Sequence, residues 1–323
     1  MSARRYRGVE LRIPARLNVA IALLAYACAA ALLWLASHAQ SWMTVALAAI
    51  AFSFVNNTVF SLLHESVHGL FHPSRVVNDM FGRVSAAFIP TGFSFQRLCH
   101  LGHHRRNRTD REMFDYYTPE GSRFIAWYRL YSLLMGFYWL SLPIGSLLVL
   151  LFGDLSRSRF FCTCLARPMG FEPMIRDLQG ARVGRMRVEI AFTVLWQASL
   201  VIVLDLTWVG WLACYGAFAL NWCALQYTDH AWTVRDIRNG ASNLRVNRLV
   251  QTLFLNYHHH LAHHQHPNVP WVHLPGFVDF VQPRPSFLRT YLSLWCGPRL
   301  TTEPEPDRLE HELGAALDRQ AHS

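Results

Sequence analysis

Histidines are concentrated in one short stretch near the end of the chain. Residues 255–267 read LNYHHHLAHHQHP and contain six histidines. Three of them, His260, His263 and His264, have the spacing H-x-x-H-H. Because residues i, i+3 and i+4 of a helix share one face, this spacing directs three imidazoles to the same side. The motif predicts a metal site, and imidazole without thiolate suits zinc, copper, iron or nickel alike.

Other histidines have comparable spacing elsewhere in the chain. They form an H-x-x-x-H pair, a second H-x-x-H-H triple and a single histidine after an apolar stretch. The candidate ligands are His64, His68, His100, His103, His104, His230, His260, His263 and His264. One H-x-x-x-H pair alone is typical of solvated histidines, but these nine nitrogens together are too many for one ion. They predict two metal ions with open coordination positions.

Long apolar segments separate these histidines and must position them. Only 16% of the residues are charged, whereas ordinary soluble domains have about 25%. Four segments, 17–37, 43–63, 188–204 and 208–226, are apolar and long enough to cross a bilayer. We predict an all-α integral membrane protein, in which four transmembrane helices form a bundle of two hairpins and a cytoplasmic helical cap holds the metal site.

Residues 125–152 are also apolar, but arginines flank them on both sides. A single crossing would place these flanks on opposite faces of the membrane and invert the second helix pair. We therefore predict a re-entrant or in-plane segment that is broken near Pro143 and Gly145. In this interpretation residues 1–300 form the membrane domain and residues 301–323 form a polar tail.

The net charge of +9 comes largely from arginine clusters in the loops. Arginines precede the first span, are absent between the first two spans, and return at 97–111, 157–187 and 235–248. Basic loops stay in the cytoplasm, so the histidines are predicted to lie on the cytoplasmic face of a bacterial inner membrane. Anionic membrane lipid, and not nucleic acid, is the expected partner of this charge.

The histidine motifs resemble the three histidine boxes of the membrane fatty acid desaturase and hydroxylase superfamily. Those boxes are H-x(3–4)-H, H-x(2–3)-H-H and (H/Q)-x(2–3)-H-H, and this chain has HESVH, HLGHH and HLAHH. The resemblance covers roughly residues 43–275. It implies a four-helix membrane enzyme whose boxes bind two iron ions on the cytoplasmic face. The reduced iron pair of this superfamily activates O2 to attack an unactivated C–H bond.

Two positions depart from the superfamily pattern. Some members have N-x-x-x-H at the end of the fourth membrane helix, where this chain has Gln226 and His230. The resemblance implies that His230 binds iron and that Gln226 lies close by. Many relatives have Asn two residues before the third box, whereas Asn256 precedes His260 by four residues, on the same helical face. The remaining histidines of this stretch are expected to contact the ligands or solvent: His258, His259 and His266.

Four further polar residues are predicted to orient the imidazoles or to line the path of the substrate. Asp229 and Glu65 are expected to orient imidazoles by accepting their other N–H. Asn56 and Asn57, about two turns before His64, are polar residues inside an apolar span. They predict a path for the substrate, and hydrogen bonding between helices would explain them equally well.

The resemblance implies an acyl chain or another lipid as the substrate. The chain has no G-x-G-x-x-G fingerprint for a flavin or nucleotide, so an external electron donor is expected. A ferredoxin-type or other reductase partner would dock on the arginine-rich face, where an acidic ferredoxin is electrostatically suited. Desaturation is the commonest reaction of the superfamily and is predicted here. Hydroxylation and oxidative decarboxylation to a terminal alkene are alternatives on the same site.

A histidine-lined metal transporter is the alternative from another functional class. Transport sites lie within the membrane span, whereas these histidines follow the helix ends. A haem-binding cytochrome would pair histidines on facing helices inside the bilayer, and a scaffold would not need nine convergent imidazoles. Two bound irons per chain, together with O2-dependent turnover, would distinguish the enzyme from all three.

Overall fold

Helices make up most of the computed structural model, which describes residues 4–6, 9–153, 158–166, 175, 177–178 and 182–306. In chain order the helices are α1 (Ala15–His38), α2 (Trp42–Val67), α3 (Arg75–Phe88), α4 (Phe93–Arg106), α5 (Arg123–Leu134), α6 (Ser141–Phe152), α7 (Val183–Val203), α8 (Trp208–Thr228), α9 (Arg248–Leu253), α10 (His260–Gln265) and α11 (Phe287–Leu294). Single helical turns occur at Phe137–Leu140, Arg159–Phe161, Cys162–Ala166 and Leu274–Phe277. The strands form two short pairs, antiparallel β1 (Arg4–Tyr6) with β2 (Val9–Leu11) and parallel β3 (Tyr116–Tyr117) with β4 (Arg299–Leu300). Most of the predicted tail, from residue 307 on, lies outside the described residues.

Helices α1, α2, α7 and α8 are each long and apolar enough to cross a membrane, which confirms the four predicted spans. Helix α2 packs against both α1 and α8. Small residues such as Ala22 and Ala29 are fully buried on α1 and let neighbouring backbones approach closely. At the start of α8, a Cβ on Gly210 would come 2.4 Å from the hydroxyl oxygen of Ser37. Large apolar residues such as Leu24 face outward, where a membrane protein contacts lipid.

Helix α7 packs mainly on α3, α4 and α6. It also reaches α8 through Gln197, whose Nε2 donates a hydrogen bond to the Tyr215 hydroxyl at 2.8 Å. The Gln197 Oε1 accepts a hydrogen bond from Trp211 Nε1 at 3.3 Å. Asp205, with a φ of 47°, makes the tight turn between the two helices. The two helices of the second predicted hairpin therefore do not pack closely along their length. Helix α7 contacts the cap as well as the bundle.

Residues 123–152 form two helical segments that meet at a 90° bend, as a re-entrant segment or a broken span would. The bend is at Gly136, whose φ of 82° favours glycine. A Cβ on Gly136 would also lie 3.1 Å from the backbone nitrogen of Leu220 in α8. The predicted break near Pro143 and Gly145 was wrong in position. Pro143 lies in the first turn of α6, where its missing N–H leaves no helical hydrogen bond unmade.

A charged network fixes the end of α2 against the cap helices. Arg97 of α4 donates hydrogen bonds to the carbonyls of Val67 at 3.1 Å and Ser66 at 3.0 Å. These carbonyls belong to the last turn of α2 and have no partner within the helix. The carboxylate of Asp79 in α3 accepts hydrogen bonds from Arg97 at 3.3 Å and from Arg185 at 3.0 Å. The network sets the position of α4 relative to the end of α2.

A buried ion pair joins the loop after α4 to the end of α8. Arg108 and Asp115 have fully buried side chains, and their charged atoms are 2.8 Å apart. The other oxygen of Asp115 accepts the backbone N–H of Trp232 at 2.7 Å, and the Tyr227 hydroxyl donates to Asp115 as well. The pair thereby fixes α4, which carries the second histidine box, relative to the end of α8, which precedes His230.

Candidate metal centre

The nine predicted ligands meet where the bundle joins the cap. His64 lies in the last turn of α2 and His68 caps that helix. His230 follows the end of α8 by two residues. The second box is on α4 and the third is on α10. His100 and His103 are partly buried and the other seven are buried.

The imidazoles form two groups rather than one. Within each group the nitrogens all lie within 4.8 Å of one another. The five-histidine group contains His64, His68, His100, His104 and His263, and the four-histidine group contains His103, His230, His260 and His264. The second and third boxes contribute to both groups. Each group is a donor set for one ion, so the arrangement suits two.

Ring nitrogens converge within each group. In the five-histidine group, the Nε2 atoms of His104 and His263 are 3.0 Å apart. In the four-histidine group, the Nε2 atom of His230 lies 3.1 Å from those of His103 and His260. A neutral imidazole has only one N–H, so several converging nitrogens cannot all be satisfied by one another. A cation at the centre of each group would satisfy them together.

Burial keeps seven of the imidazoles outside the membrane helices in their neutral form. Burial, reinforced by neighbouring histidines, holds the pKa well below its ordinary value for His68, His100, His104, His230, His260, His263 and His264. Neutral imidazole is the form that binds a metal ion. The lone pairs of these seven imidazoles are therefore available near neutral pH.

Asp229 places a carboxylate next to the four-histidine group. Its side chain is fully buried, and its Oδ2 lies 3.5 Å from the Nδ1 of His260. Neither carboxylate oxygen has a hydrogen-bond partner in the described part of the chain. Burial raises the pKa of Asp229 well above its ordinary value. A metal cation in the four-histidine group would compensate this buried carboxylate, so the residues present fit a metal site.

A sequence comparison identifies the family to which this arrangement belongs. Residues 40–295, well over half of the 323-residue chain, match the profile of a protein family described as fatty acid desaturase. The chain belongs to the fatty acid desaturase family. The resemblance to the membrane desaturase and hydroxylase superfamily is thereby confirmed, and membership implies an oxidoreductase that acts on fatty acids. A search of curated proteins finds no match.

Two contacts to histidines of this desaturase-family chain are not predicted from its sequence. The Oε2 of Glu112 lies 3.5 Å from the Nδ1 of His103. The carbonyl of Gly240 accepts a hydrogen bond from the Nδ1 of His230 at 2.8 Å. Holding the outer nitrogen in this way turns Nε2 toward the metal position. The acidic Glu112 shortly after the second box was a possible signal, whereas a backbone carbonyl has none.

Glu65 and Asn256 both hydrogen-bond to the backbone of Trp271, whereas Glu65 is predicted to accept from an imidazole. Glu65 is buried, and its Oε2 accepts the backbone N–H of Trp271 at 3.2 Å. Asn256 donates a hydrogen bond to the carbonyl of Trp271 at 3.2 Å. Helix α10 begins only at His260, and Asn256 has a φ of 59°. The helical phase that placed Asn256 on the ligand face therefore does not extend to it.

Gln226, His258 and His259 also lie outside the two groups. Gln226, one turn before His230, donates a hydrogen bond to the hydroxyl of Tyr257 at 3.1 Å. His258 and His259 are buried and contact each other, with ring centroids 4.0 Å apart. Both precede α10, so they do not share the face of the third box.

Asn56 and Asn57 are buried in α2 among backbone carbonyls. Asn56 donates to the carbonyl of Phe88 at 3.3 Å, and Asn57 donates to that of Ser53 at 2.8 Å. Their Oδ1 atoms have no hydrogen-bond partner in the described residues. The Asn56 contact joins α2 to the end of α3, as helix–helix hydrogen bonding would.

A small cavity of about 10 Å³ adjoins both histidine groups. It has room for about one water-sized molecule. Its lining residues are Ser61, His64, Glu65, Leu255, Tyr257, His260, His263, Trp271 and Leu274. Asn56 and Asn57 do not line this cavity.

Proposed function

We propose that this protein is a di-iron membrane oxidase that uses O2 to act on an unactivated C–H bond of an acyl chain, as a fatty acid desaturase. The observation that carries the proposal is the division of nine imidazoles into two donor sets beside one cavity. Family membership favours iron among the metals that imidazole binds. Zinc, which has no redox chemistry, could not support this reaction.

The two groups would each hold one iron ion, which when bound supplies the redox chemistry that O2 activation requires. Surrounding residues orient the imidazoles of the four-histidine group. Asp229, Glu112 and the carbonyl of Gly240 contact outer imidazole nitrogens and so fix the direction of Nε2. No thiol belongs to either group in the described residues, which suits oxidising chemistry because thiols oxidise readily.

The cavity beside both groups is the best candidate for the place where a substrate carbon reacts. Leu255, Leu274 and Trp271 provide apolar walls. The burial of His64, His260 and His263 keeps bulk water away from this point. An acyl chain from the surrounding membrane lipid is the proposed substrate. The arginine-rich loops favour a cytoplasmic position for the centre, with electrons from a ferredoxin-type or other reductase partner.

Mass spectrometry of lipids and volatiles from expressing cells tests this function. Lipids from cells with the native protein or with His38→Ala should contain a new double bond. Lipids from cells with His263→Ala should not. His38 is a matched control because it ends α1, far along that helix from the histidine groups, and its side chain is partly exposed. A hydroxylated acid or a terminal alkene would reassign the reaction. Purified protein without iron, or with no O2-dependent product when an electron donor is supplied, would overturn the proposal.

A further inference from the structure

Helices α3 and α7 pack side by side and carry charged residues at matching levels. Asp79 of α3 accepts a hydrogen bond from Arg185 of α7 at 3.0 Å. Four residues further along both helices, Arg83 of α3 donates a hydrogen bond to Glu189 of α7 at 3.0 Å. Because both pairs advance in the same direction, the two helices are parallel. These pairs involve the first two turns of α7, which is one of the membrane spans, so they lie where that span begins.

Three arginine side chains lie in a row at this level. The Nε of Arg75 is 4.0 Å from the Oδ2 of Asp79, which Arg185 also contacts. The Nε atoms of Arg185 and Arg83 share the Oε1 of Glu189, at 3.2 and 3.0 Å. One carboxylate oxygen therefore joins each arginine to the next, and the three guanidinium groups lie side by side. We term these three side chains the arginine row.

The arginine row is at the protein surface, and its two carboxylates are buried beneath it. The accessible side-chain fractions are 42% for Arg75, 36% for Arg83, 36% for Arg185, 8% for Asp79 and 4% for Glu189. A fourth arginine, Arg97, is 13% exposed and also pairs with Asp79. No other carboxylate in the described part of the chain forms an ion pair with these arginines. Four positive and two negative groups leave an excess of two positive charges, which is presented at the surface.

Exposed apolar side chains continue from the arginine row along both helices. Val188, Phe192 and Leu195 of α7 are exposed. They follow Arg185 by three, seven and ten residues, so they lie on the same helical face. Met80 of α3 is also 49% exposed, between the two arginines of that helix in sequence. A positively charged row at the membrane edge, followed by an apolar stripe inside the membrane, matches a molecule with an anionic head group and acyl chains.

We propose that a phospholipid with a net negative head group binds here, with its phosphate on the arginine row and an acyl chain along Val188 and Phe192. Guanidinium groups bind phosphate oxygens through paired, charge-assisted hydrogen bonds. Basic pockets between membrane helices are typical sites for anionic lipid head groups. The phosphate compensates the positive charge that the two carboxylates leave, and the bound lipid holds α3 against α7. None of these side chains belongs to a histidine group, so the site does not depend on the proposed function.

Native mass spectrometry of the delipidated full-length protein in detergent tests the site by lipid titration. Palmitoyl-oleoyl phosphatidylglycerol is the anionic probe, and phosphatidylcholine with the same chains is the zwitterionic one. The first phosphatidylglycerol should bind about tenfold more tightly than the first phosphatidylcholine, the scale of one hydrogen bond between charged groups. Arg75→Gln/Arg83→Gln should abolish this preference, while Glu189 keeps its contact with Arg185. Arg248→Gln/Arg289→Gln is the matched control, because it removes the same charge from exposed positions of α9 and α11.

Circular dichroism and the unfolding temperature without lipid show whether each variant is folded. If the double variant does not fold, Arg75→Gln alone replaces it, because Arg75 is 4.0 Å from Asp79. This single variant should weaken phosphatidylglycerol binding about threefold, the scale of one exposed charge contact. The site is wrong if phosphatidylglycerol binds no more tightly than phosphatidylcholine, if the control weakens binding equally, or if no arginine-row variant weakens it. Displacement of the lipid by an equal concentration of glycerol 3-phosphate would show instead a site for a free phosphate.

Discussion

Tyr257 and Gln226 exchange two hydrogen bonds beside the histidine groups. The Gln226 amide nitrogen donates to the Tyr257 hydroxyl at 3.1 Å, and that hydroxyl donates to the amide oxygen at 3.3 Å. The Tyr257 ring contacts His64 of the five-histidine group and His260 of the four-histidine group, with centroids 5.2 and 5.1 Å away. The pair therefore fixes one wall of the cavity that both groups share.

Tyr257→Phe should keep the fold and the iron content but lower turnover about tenfold, because both hydrogen bonds with Gln226 are lost and a hydrogen bond contributes about 1 kcal/mol net. The ring contacts with the histidines would remain, while the Gln226 amide would lose its partner and its fixed orientation. Product formation and the Mössbauer spectrum of the iron-loaded protein would be compared with those of Tyr131→Phe, whose hydroxyl bonds to Trp295 away from the centre. Unchanged turnover and an unchanged spectrum would show that the pair has no positioning role.

The histidine spacing predicted which imidazoles converge but not how they divide. His100, His103 and His104 share one face of α4, yet His103 joins the four-histidine group and the other two join the five-histidine group. The division depends on how α2, α8 and α10 pack around α4. Contacts between distant segments of this kind have no signature in local spacing.

Backbone conformation limited the prediction in two other places. Leu255 and Asn256 have φ values of 48° and 59°, so the helix extrapolated through them from the third box does not exist. The sequence predicts a break near Pro143 and Gly145, whereas the bend is at Gly136, because proline breaks a helix only in its interior. The position of Pro143 in the first turn of α6 could be recognised only once the start of the helix was known. The four membrane helices were predictable because long apolar runs have few other stable structures.

Asp229→Asn should weaken metal binding at the four-histidine group by about 10–100-fold. The carboxylate that contacts His260 would be lost, and with it the buried negative charge that favours a cation. Iron titration of the metal-free protein should then show one tight site per chain and one weak site. Asp110→Asn is the control, because Asp110 is 44% exposed and pairs with Arg235. Equal weakening of both sites would contradict a specific role for Asp229.

Asp115→Ala should destabilise the protein by about 3–5 kcal/mol, because it leaves the buried Arg108 without its ion-pair partner. The expected result is a lower unfolding temperature in detergent and a lower yield of folded protein. The double variant Arg108→Met/Asp115→Leu should recover part of the loss, since it removes both charges together. Equal destabilisation in the single and double variants would show that the unpaired charge is not the cause.

Asp79→Asn should destabilise the cap in a pH-dependent way. Burial alone would raise the pKa of the Asp79 carboxyl, but Arg97, with hydrogen bonds from Asn78 and Arg185, outweighs it and lowers the pKa below its ordinary value of 3.8. The folded state therefore favours the ionised form. The resulting stability is fully present above pH 3.8 and is lost as the pH falls through the lower folded-state pKa.

The unfolding temperature in detergent would be measured from pH 7 downward for native protein and for Asp79→Asn. The variant should unfold at a lower temperature at pH 7, and the two curves should converge in acid as Asp79 of the native protein becomes protonated. Asp205→Asn is the matched control, because the Asp205 side chain is 99% exposed and Asn tolerates the same positive φ. A difference between native protein and Asp79→Asn that stays constant with pH would show that Asp79 acts through its shape rather than its charge.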